Sequence, residues 1–342
     1  MFSHSPIIDT EDTMKRNINS SIVIRDASPT VMPHHPRIYL IHVGKAGGTT
    51  LNRALGLSGT LNSVKCMVNN SLAGEDSSSC YNHSPGASQL ERLTLGYYHM
   101  WGFGLDGVER KWLLSNTNIF LFTVREPIDR LISAYNFHRQ LFREGNTDNE
   151  YPMFYEECFP DGMDDTVDAL RHGTITEACS KLGVEVLTGR KFHGGGRHFR
   201  FNYDHYKRKT IDVGPNHAVA VIRTERLWED VIHLDRILGG TGDFGRRNGL
   251  KHSHGSENYT APHSADLSVP NTIFLCCLIY KDMEAYQHLI LKAANLDDAQ
   301  KRETLSHLLQ RCQINSSEND PVNHPFQWRA FRQGRTCRAM MT

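Results

Sequence analysis

The chain has 342 residues, enough for one α/β domain with insertions and tails and short for two independent cores. Lys and Arg number 38, balancing 38 Asp and Glu, so no global field points to nucleic acid or an acidic membrane, although charge can still be segregated locally. No run approaches the ~20 apolar residues of a transmembrane helix, and the polar N-terminus lacks the apolar stretch of ~7–15 residues that a signal peptide needs; the sequence reads either as cytosolic or as lacking an anchor that its gene carries.

Residues 1–36 are polar, have no helical period and end in the Pro-rich VMPHHP, which predicts a disordered arm. RIYLIHV, 37–43, is a short apolar run rich in β-branched residues and predicts a buried strand. GKAGGTT follows as a glycine-rich turn, and TLNRALGL starts a helix with Leu51, Ala54 and Leu55 on one face. Residues 56–90 carry Ser, Asn and Gly with little periodicity and read as an excursion loop. LERLTLGYYHMWGFG, 90–104, predicts a strand ending near His99. NIFLFTV, 118–124, is another buried strand. REP then turns the chain into the helix PIDRLISAYNFHRQLF, with Pro127 in its first turn and Ile128, Leu131, Ile132 and Tyr135 as its inner stripe. Residues 143–217 are mixed and include the glycine run HGGGR at 193–197. AVAVIR, 218–223, is a further strand, and ERLWEDVIHLDRILG is an amphipathic helix. Residues 250–262 read as a polar loop, 269–311 as helical, and the basic segment after them has no clear form. Strands alternating with helices predict a parallel sheet of βαβ type. The expected organisation is an arm over 1–36, one folded domain over 37–311 and a C-terminal tail over 312–342.

The eight cysteines, Cys66, Cys80, Cys158, Cys179, Cys276, Cys277, Cys312 and Cys337, form no CxxC, which argues against a zinc or thioredoxin-like site. Cys66 and Cys80 bracket one loop and Cys158 and Cys179 a longer one; either these are disulfides of an oxidising lumen, or the thiols are scattered and reduced. Sequons at Asn19, Asn69, Asn82, Asn258 and Asn315 lean toward the secretory route.

Strand, GKAGGTT, helix is an order that cups phosphate, because the turn aims successive N–H groups at one point. Gly47 and Gly48 let the backbone approach an anion closely. Thr49 and Thr50 offer hydroxyls and cap the helix, and Lys45 supplies a mobile charge. The lysine precedes the glycine pair, so this is not the Walker pattern GxxxxGK[ST]; the plainer alternative is a turn that merely joins a strand to a helix. Arg125 ends the strand FLFTV, at the end of an α/β sheet where ligands bind. A guanidinium there can grip a phosphate with a bidentate fork, and Ser133 on the next helix adds a hydroxyl. The alternative is an exposed arginine and a stray serine.

The string His42-Val43-Gly44-Lys45-Ala46-Gly47-Gly48-Thr49-Thr50-Leu51 resembles the 5′-phosphosulfate loop of sulfotransferases that use 3′-phosphoadenosine 5′-phosphosulfate (PAPS). It is closest to the Golgi carbohydrate branch that includes heparan sulfate 2-O-sulfotransferases, whose loop reads roughly HVPKTGGTS. Gly44 departs from the usual Pro, and Ala46 from the usual Thr or Ser. TVREPIDRLISAYNFHR is similar to the family's 3′-phosphate motif, roughly VRDPxxRxxSxY, matching at Arg125, Pro127, Arg130, Ser133 and Tyr135. The resemblance implies a P-loop NTPase-like three-layer α/β fold with a central parallel sheet flanked by helices. It also implies PAPS as co-substrate with no metal, a glycan or other hydroxyl-bearing acceptor, and no nucleic-acid partner. The cofactor-binding residues it implies are Lys45, Ala46, Gly47, Gly48, Thr49, Thr50, Arg125 and Ser133. The location it implies is the Golgi lumen, with a membrane anchor that the sequence does not display.

Sulfuryl transfer requires the group to be held in line, charge on the departing side to be neutralised, and a base to take the acceptor proton. Lys45 is the expected neutralising group. His99 is the expected base: it ends LGYYH before MWGFG, similar to the family's acceptor-side segment, and histidine titrates in the right range. His42 is a rival whose place on a strand favours a structural role. Glu225 is expected to begin a helix with a favourable charge rather than to support the site. Lys251, His252, Ser253 and His254 lie where the family often covers the nucleotide. Tyr97, Trp101 and Phe103 either stack on sugar rings or fill core, and HGGGR is either part of an acceptor groove or an ordinary loop. Two other functions compete. A P-loop-type nucleotide or small-molecule kinase would need a magnesium-binding acid and a lysine after the glycines. A nucleotide-binding protein without catalysis would keep Lys45, Arg125 and Ser133.

Overall fold

The computed structural model describes residues 37–55, 94–99, 117–145, 152–190, 197–206, 217–242, 267–315 and 320–341, all within the unit Met32–Thr342. The arm expected over 1–36, the loop 56–90 with Cys66 and Cys80, and the polar loop 250–262 lie outside the described residues. The strands are β1 (Ile38–His42), β2 (Thr94–His99), β3 (Ile119–Val124) and β4 (Ala218–Arg223). The helices are α1 (Gly48–Ala54), α2 (Pro127–Arg143), α3 (Met163–His172), α4 (Glu177–Leu187), α5 (Arg197–Arg200), α6 (Tyr203–Tyr206), α7 (Leu227–Ile237), α8 (Val269–Leu278), α9 (Tyr280–Lys292), α10 (Asp298–Arg311), α11 (Trp328–Gln333) and α12 (Arg335–Met341). None of the described helices is long and apolar enough to cross a membrane.

The strands form one parallel sheet in the order β2-β1-β3-β4, so the expected mixed α/β architecture with a helix-flanked parallel sheet is present. β1, β3 and β4 are buried along their whole length. Burial on both faces is why they read as continuous apolar runs rather than alternating ones. Ile38, Leu40, Ile119, Leu121, Ala220 and Ile222 pack on one side with Leu51 of α1 and Val231 and Leu234 of α7. Tyr39, Ile41, Phe120, Phe122, Val219 and Val221 pack on the other with the predicted stripe of α2, Ile128, Leu131, Ile132 and Tyr135.

This topology fixes where a ligand can bind. The chain runs from β1 outward to β2, then crosses back past β1 to lay down β3 and β4 on its other side. The helices that follow β1 and β3 consequently cover opposite faces. The crevice beyond the carboxyl ends of β1 and β3 is the topological switch point of the sheet.

The free side of β4 is covered by the chain after α9. Ala294 N–H donates to the Val219 carbonyl at 2.8 Å, and the Asn295 side chain bonds both the N–H and the carbonyl of Val221 at 2.8 Å. The last described segment gains definite structure that its sequence did not signal. Trp328 is fully buried and donates Nε1–H to Gln287 of α9 at 3.1 Å, fixing α11, and Cys337 ties α12 to Cys277 of α8. Residues 320–341 thus belong to the packed body. Cys158–Cys179 is a disulfide, as one of the two readings expected; Cys276–Cys312 and Cys277–Cys337 are further pairs among the described residues.

Candidate functional site

The turn after β1 is shaped by its own backbone. Ala46 N–H closes on the Val43 carbonyl at 3.2 Å, and Thr50 and Leu51 N–H both reach the Gly47 carbonyl. Lys45 and Gly47 take left-handed conformations, with φ of 66° and 76°. For a lysine that conformation costs about 1–2 kcal/mol, and such strain concentrates at ligand sites. Gly48 has no room for a side chain, because a Cβ there would strike the ring of His42. The N–H groups of Lys45, Gly47, Gly48 and Thr49 have no acceptor among the described residues. Ala46 sends its methyl into the core and spends its N–H inside the turn, so it shapes the loop rather than lining it. Thr49 is half-buried and Thr50 buried.

Two cations lie near enough to this turn to feel each other's charge. The Lys45 ammonium sits 4.1 Å from the centre of the Phe137 ring of α2. Burial, followed by the nearby Arg125 charge, pulls its pKa down to about 8. Arg125 lies just past β3, and its backbone is clamped by one phenol: Tyr203 accepts from the Arg125 N–H and donates to the Arg125 carbonyl, each at 2.7 Å. Neither the Lys45 ammonium nor the Arg125 guanidinium meets a carboxylate among the described residues. Ser133 is half-buried and stands one turn before Phe137 on α2, so both share one helix face. The structure therefore gathers the 44–50 turn, Lys45, Arg125 and the Ser133 face of α2 at the switch point. Two cations without a carboxylate partner, beside a row of open N–H groups, have the chemistry to receive a multiply charged anion.

Other motif residues serve the scaffold. Arg130 is buried in an ion pair with Asp282 of α9 at 3.2 Å and donates to the His198 carbonyl at 2.8 Å. Tyr135 bonds Thr166 at 3.0 Å inside the core. His42 is buried under Gly48. Glu225 lies, as expected, at the start of a helix, in the first turn of the 3₁₀ segment Thr224–Arg226 that runs into α7; its Oε1 also accepts the Glu126 N–H at 3.0 Å, tying the end of β4 to the end of β3. Strand register sets His99 opposite His42 at the carboxyl end of the sheet. The His99 and Tyr97 side chains, Trp101, Phe103, the 251–254 loop and most of HGGGR lie outside the described residues.

Sequence reasoning missed three supports of the site. Tyr203 holds Arg125 from a short helix 78 residues away. His198 packs so closely on Gly44 that a Cβ there would strike its ring, and it bonds His138 of α2 at 3.0 Å. Thr224 braces Gly47 and donates to the Val124 carbonyl at 2.9 Å. The HGGGR run just before His198 was the nearest signal in the sequence. A separate cavity of about 320 Å³, lined by Arg190, Arg200, Asn202, Lys281 and their neighbours, includes none of the predicted site residues.

No family model matches the chain, and no characterised protein or solved structure matches it either.

Proposed function

We propose that this chain is a sulfotransferase that moves a sulfuryl group from PAPS to a hydroxyl, with a carbohydrate as acceptor, on a P-loop NTPase-like fold. One observation carries the reading: Lys45 and Arg125 converge without a carboxylate partner beside open loop amides at the switch point between β1 and β3. That donor set fits a nucleotide bearing phosphate at both ends. The amides around Gly47 and Gly48 and the Lys45 ammonium hold the 5′-phosphosulfate, while Arg125 and Ser133 hold the 3′-phosphate. Gly44, where the resembling loop has proline, is explained by His198 occupying the space of a side chain.

The acceptor oxygen attacks sulfur, and the bond from sulfur to the bridging phosphate oxygen breaks. Its electron pair leaves with the 5′-phosphate of 3′-phosphoadenosine 5′-phosphate. Lys45 neutralises the charge that grows on that phosphate, a contribution that strengthens in the transition state. The acceptor proton goes to a base, for which His99 at the carboxyl end of β2 is the residue named. The disulfides of α8 with α10 and α12 suit an oxidising compartment such as the Golgi lumen.

The test is incubation of the protein with sulfur-labelled PAPS and a panel of desulfated glycans, phenols and tyrosine peptides. Label is expected on a glycan, falling about 10²–10³-fold in Lys45→Ala and lost through weaker PAPS binding in Arg125→Ala. Undiminished transfer by His99→Ala would remove His99 as base. Failure of the wild type to bind PAPS would overturn the reading.

A further inference from the structure

The cavity of about 320 Å³ that stands apart from the Lys45 turn is walled by three stretches of chain, the end of α4, the α5–α6 connection with α6, and the start of α9. Gly189 ends α4 with a left-handed φ of 69°, and the N–H groups of Gly189 and Arg190 return to the Val186 and Glu185 carbonyls. This C-terminal cap stops the helix and fixes the backbone of Arg190. A Cβ at Gly189 would fall 2.6 Å from the Phe199 carbonyl oxygen, so only glycine lets the end of α4 lie this close to α5. The close approach brings Arg190 to the same cavity as Arg200, and Lys281, in the first turn of α9, adds a third cation.

The wall holds more donors and positive charge than it holds groups to meet them. Arg190 and Lys281 are exposed, and neither makes an ion pair or a side-chain hydrogen bond among the described residues. Asn202 is only 8% exposed, and its Oδ1 accepts the His205 N–H at 2.9 Å. That bond orients the amide, and its Nδ2 donor, beside Gly189, has no acceptor among the described residues. A buried amide donor without an acceptor is costly, and native folds keep few of them unless water or a ligand completes the bond. Two carboxylates also line the cavity. Asp282 is matched by Arg130 at 3.2 Å and accepts the Asp204 N–H through its other oxygen, so its charge is spent. Three cations, Arg190, Arg200 and Lys281, then stand against the single carboxylate of Asp204, an excess of two positive charges.

We infer that this cavity is a second binding site, for a small organic dianion of the dicarboxylate or phosphate monoester class. Its volume lies at the small end of the ~300–1,000 Å³ of ligand pockets, which suits a metabolite rather than a polymer. The exposed Arg190 and Lys281 meet the anionic groups, arginine through its planar fork. The Asn202 amide donates to an oxygen within, and Leu278, Ile279 and Tyr280 give the organic body an apolar wall. The site is separate from the one proposed for the nucleotide. Asn202 and His205, three residues apart, share the cavity face of α6, while Tyr203 and Tyr206 share another. Tyr203 clamps the Arg125 backbone, and Tyr206 donates to the His42 carbonyl at 3.3 Å. One short helix thus has the ends of β1 and β3 on one face and the dianion site on the other, and the second site does not depend on the proposed transfer reaction.

Titration calorimetry of the full chain with succinate, with glycerol 3-phosphate and with the monoanion acetate tests this. A dianion is expected to bind at least about tenfold more tightly than acetate, and the tighter of the two separates a carboxylate ligand from a phosphate one. Arg190→Gln with Lys281→Gln should weaken that binding at least about tenfold. Asn202→Asp, which keeps an oxygen to cap α6 and puts a negative charge where the donor stood, should weaken it likewise. Thermal midpoints without ligand establish that each variant is folded. Lys45→Met should retain the binding. So should Arg335→Gln with Arg338→Gln, which removes two exposed arginines elsewhere. Binding lost in Lys45→Met but kept in the Arg190 and Lys281 variant would move the anion to the turn after β1 and overturn the proposal. Equal weakening in the two double variants would reduce it to diffuse surface charge. Absence of binding by either dianion at millimolar concentration would overturn it as well, without touching the proposed sulfuryl transfer.

Discussion

At the scale of single residues, Lys45 carries a pH prediction. Its pKa falls from 10.5 to about 8 because burial and then the Arg125 charge disfavour the ammonium. The charged form is the one that holds an anion. Affinity for 3′-phosphoadenosine 5′-phosphate should therefore be steady near pH 7 and fall above pH 8, by at most about tenfold per pH unit for a single proton. Titration calorimetry from pH 6.5 to 9.5 measures it. Lys45→Arg should abolish the decline and Lys45→Met should bind weakly throughout; a wild-type affinity flat across pH 8 would remove Lys45 from the anion site. The same shift acts on stability. The unfolded chain keeps the proton up to its higher pKa, so the penalty of burying the ammonium is present below pH 8 and is relieved as pH rises toward 10.5. Lys45 and Arg125 were both legible, because glycine pairs and strand ends have local signatures. Arg130 shows the limit. It occupies a matching motif position, yet its charge is spent on Asp282, and no local pattern distinguishes a phosphate ligand from a buried ion pair 152 residues apart.

At the scale of elements, β1, β3 and β4 were readable because each of these apolar runs is buried on both faces, and the stripe of α2 because its period is helical. The start of α2 holds a less visible feature. Glu126 caps it, with Oε2 accepting the Asp129 N–H at 2.9 Å, while the buried Oε1 has no partner among the described residues. Burial, followed by the Asp129 charge, raises the Glu126 pKa from 4.5 to about 7. The folded state thus binds the proton more tightly than the unfolded one, and stability falls as pH rises from about 4.5 through 7. Glu126→Gln keeps an acceptor for the cap and removes the charge. It should match the wild type near pH 5 and exceed it by roughly 1–3 kcal/mol at pH 8, measured by urea unfolding at both values. Parallel stability curves for the two proteins would mean that the Glu126 carboxylate is solvated or paired when folded.

At the scale of the molecule, the disulfides explain why the C-terminal segment was illegible. Cys276 and Cys277 are adjacent, and successive residues on a helix point about 100° apart. They therefore staple α8 to two different elements, the end of α10 through Cys312 and α12 through Cys337. Cysteine spacing pointed to the short Cys158–Cys179 loop but held no register for pairs that form only once α8, α10 and α12 have packed. The Cys277–Cys337 link closes a loop of sequence separation 60. Chain-entropy arguments put its contribution at about 3–5 kcal/mol. Replacing both cysteines with serine should lower the thermal midpoint by roughly 5–8 °C and make α11 and α12 the first sites of limited proteolysis. The proposed nucleotide site draws on β1, β3 and α2 rather than on α12, so binding of 3′-phosphoadenosine 5′-phosphate should survive below the new midpoint. First cleavage elsewhere, with α11 and α12 intact, would mean that Trp328 and its bond to Gln287 hold the segment without the disulfide.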